Sequence, residues 1–396
     1  MIQQFLKLLW KQRSYNSLLI IEVSFSFIVL FIFLTASIHF YKKYKEPIGT
    51  DFKNLWAISI YKTYDVGNDL TDSVKCIKYD RIKEYLLSNP QIKFASKTTY
   101  DDFIYAGNSS STCFDYKKRQ YCFDVSRTEP DFAKTTGMNI IEGRWINRDD
   151  QYAKTKRVVI NKMFKEALFG NKPAVGQTIS TGENMSTTIV GVIDHIKRHG
   201  EFTNESNYMY KPTQLPNDYN ESGMLIKIIP PINSDFEAKL VNGLRRFDKT
   251  FDYRVEQVEQ MHQKYMLSSL APIIIGGFVI LFLIVNVMLG LFGTLWLNIS
   301  RRKSEIGLRM ALGSSSKKLL LQLLGETYSL ALVAILIGFL ITSQMFIFNI
   351  YNVPVVTLVQ ANLFAVFLII LFCTISAYIP ARLAASLHPA EALHEE

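Results

Sequence analysis

RRKSEIGLRMALGSSSKK, residues 301–318, carries six Lys/Arg and one acid, Glu305. It stands between two of the most apolar stretches of the chain. No Asp, Glu, Lys or Arg occurs between Lys264 and Arg301, and none in the 55 residues between Glu326 and Arg382. A third charge-free run separates Glu22 from Lys42. About 20 apolar residues of helix cross the hydrocarbon of a bilayer. These runs predict four transmembrane helices, at 18–40, 270–297, 321–347 and 360–380. The longest run holds the last two, turned by Asn352 and Pro354 within a short loop, 348–359.

Residues 41–265 are a different material, rich in Lys, Asp, Glu, Asn and Tyr, and long enough to bury a core of their own. Overall the chain is 48% hydrophobic with 27 Phe and 20 Tyr. The expected fold class is an α-helical membrane protein with an α+β domain inserted between its first and second helices. The first apolar run is longer than that of a signal peptide, and no small-residue cleavage site follows it, so an uncleaved anchor is expected.

Lys and Arg in short loops set the orientation. Six lie in 301–318, none in the loop between the third and fourth spans, and Lys7, Lys11 and Arg13 precede the first. This places the N-terminus (1–17), the 300–318 segment and the tail (381–396) in the cytoplasm, and 41–265 outside. The net charge of +9 is then partly topological, and nucleic acid is not a partner it calls for.

Within the inserted domain, NLWAISIYKT and QIKFAS read as strands around a helix in YDRIKEYLLSNP. GMLIKIIPP and FDYRVEQV frame a second helix, whose Phe236, Leu240 and Leu244 share one face. Two βαβ units thus bracket a β-rich middle, about 97–222. EQMHQKYMLSSL continues as helix into the second span. STCFDYKKRQYCFDV reads as a hairpin with Lys117 and Lys118 at its tip and Cys113 opposite Cys122. The two thiols either form a disulfide, which an oxidising compartment permits, or stay separate and buried.

Catalytic and metal motifs are weak. GNKPAVGQT, residues 170–178, has five residues between its glycines where a phosphate loop has four, and Gln177 where that loop has Lys. No Cys/His spacing marks a metal site, so neither cofactor nor metal is expected. His195 and His199 in DHIKRHG have helical metal spacing, but an exposed polar loop is the expected reading. Two acids fall inside spans, Glu22 and Glu326. A charge there is costly. Either they reach the cytoplasmic edge or a cation such as Arg301, Arg302 or Lys318, or they lock helix packing.

On a helix of 3.6 residues per turn, Arg302, Glu305 and Arg309 share one side of 301–318. Glu305 and Arg309 form an acid-to-base pair four apart in the favourable order. Ile306 with Met310, and Leu308 with Leu312, give two apolar rows, and Gly313 is a suitable stop. Contact on two faces is expected: membrane or a neighbouring helix on one, a protein on the other.

RRKSEIGLRMALGSSSKK resembles the core of the FtsX-like permease domain, approximately R-R-x-E-I-G-x-R-x-A-L-G. Arg301, Arg302, Glu305, Ile306, Gly307, Arg309, Ala311, Leu312 and Gly313 stand in its places, with one residue inserted before Glu305. IPARLAASLHPAEALHEE looks like that family's ending. The stretch from TEPDFAKTTGMNIIEGRWINRDD to RVVINKMFKEALFGNKPAVGQTI is similar to the periplasmic core domain of MacB-like permeases, through Gly143-Arg144, Asp149 or Asp150, and Leu168-Phe169-Gly170 among others.

The resemblance implies a permease of the mechanotransmission type, itself without catalytic activity, in the bacterial inner membrane. The inserted domain becomes periplasmic. Arg302, Glu305, Ile306, Gly307, Arg309, Leu312 and Gly313 become the coupling helix that docks on a cytoplasmic ABC ATPase. Only seventeen residues precede the first span, so that ATPase is expected on a separate polypeptide. A second permease, like or related, membrane lipid and a periplasmic adaptor complete the implied partners. The work is export or extraction, or else FtsX-like signalling to a periplasmic partner such as a cell-wall hydrolase. A membrane-anchored binding module would leave 301–318 unexplained.

Overall fold

A computed structural model describes residues 13–62, 71–99, 103–105, 111–153, 155–180, 186–213, 222–301, 308, 312, 315–348 and 353–385. The chain divides into two units. One comprises 1–42 and 270–396, the other Lys43–Ser269.

Among the described residues, four helices are long and apolar enough to cross a membrane. They are α1 (Arg13–Lys45), α6 (Val258–Arg301), α7 (Ser316–Thr342) with its short continuation α8 (Gln344–Ile347), and α9 (Val355–Ala385). The elements of the inserted domain lie between α1 and α6. In the membrane unit, Leu19, Val23, Phe27 and Leu30 of α1 recur at helical spacing and bury against the other helices. Small residues let backbones approach. Ala331 and Ala334 of α7 and Ala361 and Ala365 of α9 lie in the same buried cluster. A Cβ on Gly338 would come 2.5 Å from the Phe27 ring, so only glycine fits there. At the end of the first span Lys42 Nζ donates to Thr357 Oγ1 (3.0 Å) and Gln360 Oε1 (2.8 Å) of α9.

Among the described residues the inserted domain has two sheets. The first consists of β1 (Leu55–Lys62), β2 (Ile92–Thr99), β10 (Ser222–Ile228) and β11 (Phe251–Gln257), in the order β11-β1-β10-β2 with every pair antiparallel. The two expected βαβ units therefore interlock. Each keeps its own strands parallel but apart, with a strand of the other unit between them, as in a ferredoxin-like split βαβ. Their helices, α2 (Asp72–Leu87) and α5 (Phe236–Phe247), cover one face. The period of two in a strand puts Trp56, Ile58 and Ile60 into that layer, against Ile82, Leu86, Leu240 and Leu244. Burying each such side chain contributes about 1.5–3 kcal/mol.

Leu55, Ala57 and Leu225 point to the opposite face and join a second core with Phe132, Trp145, Tyr208 and Tyr210. That core connects to the second sheet, of seven strands, inserted between β2 and β10. It comprises β3 (Ser111–Tyr116), β4 (Arg119–Thr128), β5 (Ile140–Gly143), β6 (Lys156–Asn161), β7 (Thr178–Ser180), β8 (Ser186–Ile193) and β9 (Tyr208–Pro212). The order is β3-β4-β9-β6-β8-β5, with β7 on β8. Two helices accompany it, α3 (Phe132–Thr136) and α4 (Lys162–Phe169). Asn161 caps α4 by accepting from the Phe164 amide (3.2 Å).

The β3–β4 hairpin sets Cys113 opposite Cys122 and Phe114 opposite Tyr121. The two cysteines are joined by a disulfide. Lys117 and Lys118 form its two-residue turn with φ of +49° and +64°. Of Asp149 and Asp150, it is Asp150 that meets Arg144. Its carboxylate has no exposed surface and accepts from Arg144 Nη2 (2.8 Å), Arg157 Nη1 (2.9 Å) and the Asn147 amide (2.8 Å). Burial opposes ionisation, but the hydrogen bonds from Arg144, the Asn147 amide and Arg157 prevail and hold its pKa down to about 2.

Candidate functional site

Two places carry chemistry beyond packing. The first is the charged segment between α6 and α7. Of the residues expected to couple, Arg302, Glu305, Ile306, Gly307, Arg309 and Gly313 lie outside the described residues. Leu312 is described. It is 80% exposed, Leu308 is 52% exposed, and the Leu312 amide donates to the Leu308 carbonyl (3.0 Å), a helical i to i−4 bond. Ser315 caps α7 by accepting from the Lys318 amide (3.4 Å). The segment springs from a platform made by the ends of three helices. Ile299 packs with Leu319, Leu323 and Ala381, and Leu295 with Leu324 and Ala377.

Both intramembrane acids lie among the described residues. The Glu22 carboxylate of α1 lies against the bare backbone of α6, where a Cβ on Gly290 would come 2.9 Å from Oε2. Glu326 is half-buried on α7.

The second place was not foreseen. DHIKRHG forms the loop after β8, not a helix, and the loop is not the exposed one expected. Lys197 and Arg198 are buried, at 3% and 7% exposure. Lys197 Nζ donates to the Lys43 carbonyl (2.9 Å) and the Glu201 carbonyl (3.0 Å) and pairs with Glu46 Oε2 (2.7 Å). A buried ammonium needs such partners. Burial would raise the Glu46 pKa, but the hydrogen bonds from Lys197 and Lys43 lower it. Arg198 donates to the Tyr208 hydroxyl and to Ser126 Oγ (3.2 Å). His195 Nδ1 meets Glu205 Oε2 at 2.7 Å. His199 is half-buried, and burial together with Arg198 lowers its pKa. The signal available in the sequence was a run of cations directly after an apolar strand, which the hydropathy pattern alone assigns to solvent.

Residues 18–240 match the MacB-like periplasmic core domain, more than half of the chain. The chain belongs to the MacB-like permease family. Residues 277–389 of this permease match the FtsX-like permease C-terminal domain. It is similar to the macrolide export ATP-binding/permease protein MacB of Pasteurella multocida (strain Pm70), 27% identical over 277 residues, 65% of this chain and 40% of that one. The protein of the same name from Chromobacterium violaceum is 24% identical over 358 residues, 86% of this chain and 52% of that one. The permease thus spans about half the length of these curated relatives. Among solved structures, the periplasmic region of MacB from Actinobacillus actinomycetemcomitans aligns at 18% identity and a TM-score of 0.39, covering 56% of this chain and 97% of that one. A score so low carries no argument.

Proposed function

We propose that the chain is a non-catalytic permease subunit of an ABC transporter. A cytoplasmic ABC ATPase, placed on a separate polypeptide, docks on 302–312. Two permeases pair around two ATPases in the bacterial inner membrane, with both termini cytoplasmic and the inserted domain periplasmic. ATP-driven closure displaces the helices, and the displacement drives export or extraction at the outer domain.

One observation carries this reading. A single helix, α6, extends from Val258, next to strand β11, to Arg301 at the start of the charged segment. At 1.5 Å per residue that is about 66 Å, twice the hydrocarbon thickness of a bilayer. The helix carries Pro272 in its interior, and its continuity from β11 to the charged segment is what supports a mechanical link between the two. The Cys113–Cys122 disulfide supports an oxidising compartment for the domain. The relatives named above are described as macrolide exporters with their own ATP-binding part, which supports export and the need for an ATPase.

The test is affinity purification of the full chain from its native membranes, with identification of what accompanies it. An ABC ATPase that accompanies the wild type and is lost from the Δ302–312 variant is the expected result. Its retention on the deletion variant would overturn the docking role.

A further inference from the structure

The outer unit, Lys43–Ser269, contains the last residues of α1 and the first three turns of α6. We call these two helix segments the roots, and loop 194–205 touches both. Toward α1, Lys197 donates to the Lys43 carbonyl at the negative end of the helix and pairs with Glu46. The Lys197 amide donates to the Ile48 carbonyl (2.9 Å). Gly49, at φ +84°, lies so close to the loop that a Cβ would come 1.6 Å from the His195 carbonyl oxygen. Toward α6, Gly200 lies flat on Tyr265, where a Cβ would meet the ring at 2.3 Å. Buried Glu201 lies 2.7 Å from His262 Nε2. Phe202 stands between the two roots, stacked on Tyr44 of α1 (centroids 6.1 Å, 23°) and on Tyr265 of α6 (6.2 Å, 25°).

The loop is also moored to the large sheet. Glu205 holds His195 Nδ1 at 2.7 Å and accepts from the Ile196 amide (3.3 Å) and Asn161 Nδ2 (3.0 Å). Asn161 is fully buried at the end of β6, where its Oδ1 also accepts from the Tyr208 amide (2.9 Å). Arg198 adds a second mooring through Ser126 of β4 and Tyr208 of β9.

We propose that loop 194–205 is a clasp that ties the roots of α1 and α6 to each other and to the seven-stranded sheet, with Lys197, Glu201 and Phe202 as its positioning residues. Opening of the two roots then requires the clasp to break or the sheet to follow. Its use in relaying an ATP-driven stroke rests on the proposed function; the tie itself does not.

Hydrogen exchange on the full chain in lipid nanodiscs, without nucleotide or ATPase, separates the two. Lys197→Met touches the α1 side directly, yet exchange should rise about tenfold in 258–266 as well as in 43–49, as expected for loss of charged hydrogen bonds. Exchange in 156–161 should not change. Tyr265→Leu, made on α6, should reciprocally expose 43–49, and it carries the test if Lys197→Met does not fold. Lys197→Arg, which keeps donors for Glu46 and the Lys43 carbonyl, should restore protection at both roots. Effects confined to 43–49 for Lys197→Met, or to 258–266 for Tyr265→Leu, would overturn the clasp. Spread between the roots in a chain that never yields an ATPase would uphold the clasp and sink the proposed function.

Discussion

Replacing Asp150 by Asn should destabilise the inserted domain by an amount the geometry supplies. The carboxylate is fully buried and bonded to two guanidinium groups and a main-chain amide. Its pKa falls from 3.8 to about 2 on folding. A drop of roughly two pH units, at about 1.36 kcal/mol each, gives about 2–3 kcal/mol at pH 7. The sign is that of a depressed acid. The stabilisation is complete above about pH 4 and is lost as pH falls toward 2, through the folded-state value. Arg144 and Arg157 stay about 40% exposed and find water when the charge goes, so no stranded cation adds to the cost. In a domain of this size 1 kcal/mol moves the melting temperature by about 2–4 °C. Asp150→Asn should therefore melt about 5 °C or more below wild type at pH 7, followed through Trp56 and Trp145, and the gap should shrink steadily as pH falls from about 4 to about 2. A variant melting within about 1 °C of wild type at pH 7, or a gap that does not change with pH, would refute the reasoning.

The hairpin turn offers a gain. Lys117 and Lys118 both occupy the left-handed region, so Lys117→Asn with Lys118→Gly should slow hydrogen exchange in 111–124 and add about 1 kcal/mol or more of hairpin stability. Non-reducing mass spectrometry of protein from native membranes should recover the peptides of Cys113 and Cys122 linked, whereas free thiols there would contradict a periplasmic placement. Glu305→Lys and Arg309→Glu should each leave membrane insertion intact and make ATP hydrolysis by the co-purified ATPase indifferent to the permease; wild-type coupling in both would remove these residues from the contact.

The four spans were legible because charge is excluded from hydrocarbon, and three charge-free runs leave little choice. The local units of the inserted domain were legible for a similar reason. Leu240 and Leu244 follow Phe236 at helical spacing, and Trp56, Ile58 and Ile60 alternate along β1. What joins those units was not. Ile58 of β1 pairs with Met224 of β10 and with Val255 of β11, and nothing near any of the three in sequence specifies the others. The interlocked sheet is a product of long-range pairing. The clasp was hidden by the same distance. Lys197 reads as a surface lysine until Lys43 and Glu46 arrive from some 150 residues away, and only those partners make its burial tolerable. In the segment 301–318 the residue pattern itself was the signal; of its apolar residues, Leu308 and Leu312 are exposed.

The central claim is that 301–318 faces the cytosol while the inserted domain faces outward, and cysteine labelling of intact cells tests it most directly. Leu312 and Tyr152 are 80% and 84% exposed, while Cys76 and Cys373 are buried and Cys113 and Cys122 are bonded to each other, so single added cysteines report cleanly. With the outer membrane opened, a membrane-impermeant maleimide should label Tyr152→Cys at once and Leu312→Cys only after the inner membrane is permeabilised. Labelling of Leu312→Cys before permeabilisation would put the segment on the wrong side to meet an ATPase and contradict the account.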